Sequence, residues 1–146
     1  MASPPQDRRE ASGTQSGSSI IEFIFLVVLL LVPLVYLVVG AAQVQAASYA
    51  AVGAADHAAK VFVTAHSEGQ GRARAADAVQ RAAANMEIAP GRTNFSYSCQ
   101  GTCLSPGSTV TINVSVETVL PMLPEGWNWR TGNVGSKATQ RVDRYG

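Results

Sequence analysis

The sequence predicts an α+β protein: a long N-terminal transmembrane helix continuing into an Ala-rich stalk, a second short helix, and a small antiparallel β-sheet head. Three observations carry that expectation. Residues 23–42 hold no charged side chain, about the 20 positions a helix needs to cross a 30 Å hydrocarbon layer. Beyond them apolar residues, mostly alanine, recur at steps of three and four, the spacing of one helix face. Two segments rich in β-branched or aromatic residues then follow, TNFSYS at 93–98 and STVTINVSVET at 108–118, and both read as strands.

The apolar run organises the chain into a polar leader (1–17), a transmembrane helix (18–42), a helical stalk (43–66) and a small extracytoplasmic head (72–146). With 146 residues in all, one modest domain is affordable outside the run. That part is rich in Ala, Gly, Ser and Thr and poor in Phe, Leu and Ile, so a large core is not expected. A net charge of +1 leaves no basic face dense enough to displace counterions, which argues against nucleic acid as a partner. Pro33 interrupts mid-span, a kink that membrane helices tolerate. Arg8 and Arg9 are the basic residues before the span, and none follows it until Lys60. Although Asp7 and Glu10 flank the two arginines, this bias places the N-terminus in the cytoplasm and the C-terminus outside, as a single-pass protein of the cell membrane.

Glu22 stands at the edge of this run. VQA at 44–46 resembles a signal-peptidase site, but the run exceeds an h-region of about 7–15 residues. Arg8-Arg9 is followed by EAS rather than an apolar residue, unlike a twin-arginine signal. The stronger plain alternative is a signal anchor with an incidental glutamate. Against accident stands the cost of a carboxylate near lipid, which usually demands a partner. If the chain is cut after Gly17, Ser18 becomes a charged N-terminus and Glu22 the fifth residue. Positions one and five are one helical turn apart, so a neighbouring copy shifted by about a turn sets its amine against this carboxylate.

A leader ending in Gly, a Glu at the fifth following position and an uninterrupted apolar helix, here QSG/SSIIEF, resemble type IV pilin-like precursors. Within that class the chain is most similar to the TadE-like minor pilins (pseudopilins) of tight-adherence, or Flp, pilus systems of the actinobacterial type. The Ala-rich helix, the CxxxC-L-x-PGSTVT segment at 99–111, LPMLP at 120–124 and VDRY at 142–145 add to the likeness, which covers essentially the whole chain beyond the leader. The resemblance implies cleavage between Gly17 and Ser18 by a prepilin peptidase. It also implies assembly through Glu22 with the major Flp-type pilin and other pilin-like subunits at an inner-membrane assembly platform, within membrane lipid and then in an extracellular pilus. Major Flp-type pilins are usually very short, whereas residues 18–146 would remain here, so the expectation is a minor subunit or assembly factor. A different class remains open: an uncleaved, membrane-anchored extracytoplasmic binding module that recognises a ligand through its β head.

Past the span, Val44, Ala47, Ala51, Ala54, Ala58, Val61 and Ala65 form a narrow stripe on a helix expected over 20–65, roughly 69 Å long if continuous. SEGQG at 67–71 reads as a break, and a second helix is expected over 72–86 with Ala76, Val79, Ala83 and Met86 on its apolar face,. Pro90-Gly91 stops it,. In the second strand Val110, Ile112, Val114 and Val116 share one face, which is expected to pack on the Ala-rich helix. KATQRVDRY at 137–145 reads as a third strand, and Trp127 and Trp129 as packed on the head or in a loop in preference to a membrane interface.

Cys99 and Cys103 are the two cysteines. Structural zinc usually needs four ligands, His57 and His66 lie well away in the helical region, and no second pair exists. With the head outside the cytoplasm, a disulfide is preferred over a metal site. The two histidines read as surface residues. No nucleophile elbow, phosphate-binding glycine loop or paired-carboxylate pattern occurs,, so neither enzyme activity, cofactor nor metal is expected.

Overall fold

A computed structural model of the chain describes residues 1–2, 15–119 and 130–143. Arg8, Arg9, the LPMLP segment, Trp127, Trp129 and the closing Tyr145 lie outside these residues. The elements follow the order α1 (Gln15–Val63), α2 (Glu68–Asn85), β1 (Thr93–Gln100), β2 (Thr109–Val119) and β3 (Arg130–Arg141). The three strands form one antiparallel sheet in the order β1-β2-β3. The protein is α+β, as the sequence predicts. Its contacts divide the chain into two units, Met1–Val38 and Val39–Gly146.

In the first unit α1 begins at Gln15 rather than at Ile20. Extending an existing helix backward adds about one hydrogen bond per residue ordered, whereas nucleation is the costly step. The polar residues before Ile20 therefore join a helix they would not start. Residues 18–39 are exposed throughout, including Ile20, Phe23, Phe25, Leu29 and Leu37, and Pro33 lies inside the helix.

In the second unit, the remainder of α1 forms a core with α2 and the sheet. Of the expected stripe, Ala47, Ala51, Ala54 and Ala58 are buried, while Val44 is exposed and Val61 and Ala65 are half-buried. The buried face also takes in Ala50, Ala55, Ala59 and Phe62. It is wider than a single seam because two partners cover it: Ala75, Ala78 and Val79 of α2, and Val110, Ile112 and Val114 of β2. Alanine suits this position, since its small side chain lets neighbouring elements approach closely while keeping the best helix propensity.

The SEGQG stretch does not break the chain beyond Ser67; it starts α2. Ser67 is the N-cap, its Oγ accepting the Gln70 backbone N–H at 3.2 Å, while Gln70 Oε1 accepts the His66 N–H at 3.0 Å. This near-reciprocal cap offsets the low helix propensity of Gly69 and Gly71. Gly71 has a second reason. A Cβ there would lie 3.2 Å from the Phe62 carbonyl oxygen and 3.3 Å from two of its ring carbons, so the two helices meet too closely for a larger residue. The buried face of α2 is Gly71, Ala75, Ala78, Val79 and Ala83; Ala76 is half-buried and Met86 exposed. The helix closes before Pro90-Gly91, with Met86 as C-cap and Glu87 in the left-handed region at φ 57°. The Ile88 N–H then returns to the Ala83 carbonyl at 3.0 Å, satisfying a terminal acceptor,.

Strand β2 is the centre of the sheet, and Val110, Ile112, Val114 and Val116 on its helix-facing side are all buried. Its register sets Phe95 against Val114 and Cys99 against Val110 on β1, and Val134 against Val116 on β3. The third strand differs from expectation: it spans Arg130–Arg141 instead of residues 137–145. Its first half, RTGNVG, has poor strand propensity, but each residue there gains ladder bonds from β2, and tertiary pairing overrides local preference. Val142, just past the strand, is buried in the core.

Candidate processing and assembly site

Gly17 and Ser18 lie in the first turns of α1, exposed, and a Cβ at Gly17 would meet nothing within 4 Å. A helical peptide bond is poorly presented to a protease, which reads extended backbone. Glycine lowers the cost of opening this turn, since it is about 1 kcal/mol poorer in a helix than alanine. Glu22 follows one turn after Ser18, exposed and with no partner among the described residues. An amine on Ser18 would sit at the positive end of the helix dipole, an unfavourable place for a cation; the Glu22 carboxylate is placed to offset it. The helix carrying these residues is long and apolar enough to cross a membrane by length and composition. Its exposed apolar surface runs all round, the pattern of a helix whose partners are lipid or other helices.

At the other end of the sequence, Cys99 and Cys103 form a disulfide with a Cα–Cα separation of 5.4 Å. The loop it closes turns through Gly101 at φ 87°, and Leu104 follows at φ 64°. Cys99 and Leu104 both pack against the core, so the bond fastens the β1–β2 connection to the hydrophobic layer. Closing so short a loop contributes about 2 kcal/mol on the chain-entropy account. Reduction of the full-length protein in detergent is therefore expected to lower its melting temperature by roughly 10 °C. An unchanged melting curve after complete reduction, checked by thiol labelling, would contradict this.

Tyr97 ties β1 to the start of α2. Its hydroxyl donates to Glu68 Oε1 at 2.8 Å, which raises the phenol pKa above its ordinary value because the bond favours the protonated form, with desolvation adding in the same direction,. His57 is exposed beside Tyr49, Gly53, Arg81 and Met86 along the groove between the helices, and His66 is exposed in the α1–α2 turn. Two ion pairs, Lys60–Asp56 at 2.7 Å and Arg81–Asp77 at 2.9 Å, are solvent-exposed i,i+4 pairs of small energetic weight. Among the described residues no group of three His, Cys, Asp or Glu side chains converges as a metal site.

The sheet face turned away from the helices is polar: Asn94 and Ser96 on β1, Asn113 and Ser115 on β2, Lys137 on β3. These residues surround a shallow groove of about 340 Å³ over Gly135. Thr111 and Thr139 are hydrogen-bonded across strands at 3.1 Å on the same face. Sequence reasoning missed Phe62 and Gly71, whose importance depends on each other, and it missed the cap at Ser67, for which the S-x-x-Q spacing was a usable signal.

No protein-family model matches the chain, and comparisons with curated proteins and with solved structures give no match either.

Proposed function

We propose that the chain is a pilin-like precursor, a minor subunit or assembly factor of a tight-adherence (Flp-type) pilus, cut between Gly17 and Ser18 by a prepilin peptidase. The observation that carries it is Glu22 set one turn beyond Ser18 at the head of a helix whose apolar surface is exposed on every side. A carboxylate in that setting is expensive in lipid unless a cation meets it, and cleavage after Gly17 creates that cation. In this account the N-terminus begins in the cytoplasm, α1 crosses the cell membrane once, and the head is extracytoplasmic. Partners are the peptidase, the major Flp-type pilin and other pilin-like subunits, the inner-membrane assembly platform and membrane lipid.

Co-expression with the cognate peptidase is expected to give a product that begins at Ser18. Gly17→Ala, or a bulkier residue, should leave the precursor at full length, because the added methyl both stiffens the first turn as helix and crowds a tight cleft. N-terminal sequencing that finds Met1, or a start near Ala47, would sink the proposal. A second account, an uncleaved membrane-anchored binding module, is favoured by the polar groove over Gly135. It predicts an intact mass under the same co-expression.

A further inference from the structure

Within Val39–Gly146 the elements have a defined sense along α1. Ala54, Ala58 and Phe62 share a cluster with Val110, Ile112 and Val114, whereas Val116 packs with Ala47 and Ala51. Strand β2 therefore runs back toward the start of this unit's helix. The α2 helix does the same: Asn85 and Met86 border Tyr49 and Ala50, and Ile88 packs against the Ala47–Ala51 cluster. Arg92 follows at the level of Glu117, whose N–H it accepts at 2.8 Å. One end of the head, the basal end, thus gathers the α2–β1 turn with the end of β2 and the start of β3. The disulfide and the α1–α2 turn lie at the opposite end.

The basal end is close to where the apolar run stops. From Ala42 to Ala47 the helix rises only about 7.5 Å, and the headgroup layer of a bilayer is roughly 5–8 Å deep. Val119 is three residues beyond Val116, which brings the strand back by up to about 10 Å. No charged residue stands between Glu22 and Asp56, so the uncharged surface of α1 continues past the length a span requires. Along it Val44 is 40%, Tyr49 72% and, on α2, Met86 46% exposed, and tyrosine favours the membrane–water interface. Residues 120–129, which join β2 to β3 at this end, read LPMLPEGWNW and carry one charge.

We infer that the basal end of the head rests in the headgroup layer of the bilayer that holds α1, with Val44, Tyr49 and Met86 as its apolar contacts. The head of the unassembled subunit is therefore docked on lipid rather than held away from it, and leaving the membrane exposes this end. The inference rests on α1 being a membrane span, and its test separates the two.

Full-length protein carrying one added cysteine at Val44, Met86 or Thr64 is labelled with bimane and reconstituted in phosphatidylcholine vesicles containing a doxyl-labelled lipid; the Cys99–Cys103 bond stays closed. Blue-shifted emission and several-fold stronger quenching at Val44 and Met86 than at Thr64 are expected. A Tyr49→Cys variant gives an independent second position. Quenching at Val44 with Met86 and Tyr49 as unquenched as Thr64 overturns lipid docking while leaving the span intact. Absence of quenching at Val44 removes the span and the inference with it. If Met86 emission shifts without quenching and the shift grows with the protein-to-lipid ratio, a second copy covers this end, and the lipid contact is overturned.

Discussion

Glu22→Leu is expected to enter the membrane at least as readily as the native chain and yet to fall out of pili by roughly a hundredfold. The two effects have opposite signs because they depend on different states of the residue. During insertion the carboxylate is only a cost, and an apolar replacement removes it. Under the proposed assembly it pairs with the Ser18 amine of its own or a neighbouring chain, and removing one member of a buried pair costs about 3–5 kcal/mol. Glu22→Gln keeps shape and polarity while deleting the charge, so it should lose incorporation as well. Processing can continue in both, since the Gly17–Ser18 bond is untouched. The measurement is the ratio of subunit in sheared pili to subunit in membranes, with cross-linking to the major pilin as a second readout. If Glu22→Leu assembled like the native chain, the pairing would be wrong, and Glu22 would be no more than a residue the peptidase reads.

Phe62→Ala should be the most damaging single truncation in the head, with a loss of about 3–5 kcal/mol. Phe62 is fully buried and the largest side chain to be so. Its ring lies 5.0 Å from that of Tyr97, tilted by 42°, and touches the position a Gly71 Cβ would fill. It joins the end of α1, the start of α2 and strand β1, so its loss leaves a cavity that three elements border. For a head of this size such a loss moves the melting temperature by 10 °C or more, measurable by circular dichroism of the full-length protein in detergent. Gly71→Ala should also destabilise, by overpacking at 3.2–3.3 Å,. Combined with Phe62→Ala it enters the vacated space, so the double variant should lose less than the sum of the two. Strict additivity would show that the two residues do not share one packing site.

The sequence by itself determined those features whose cause is local. The apolar run, its helix and the Gly17–Glu22 spacing are properties of consecutive residues on one element. The inward set of β2 was readable because alternation is a period-2 pattern, and all four of its aliphatic residues are buried. The nearness of Cys99 and Cys103 is likewise a matter of spacing along the chain. What tertiary structure decided was everything set by a distant neighbour. The burial of Ala50, Ala55, Ala59 and Phe62 follows from two elements covering α1 at once, which no single-helix periodicity contains. Gly71 looked like a breaker because its value is the closeness of Phe62. The first half of β3 looked like loop because Gly132, Asn133 and Gly135 have little strand preference of their own, and only pairing with Ser115, Glu117 and Thr118 gives their backbone groups a place in the sheet.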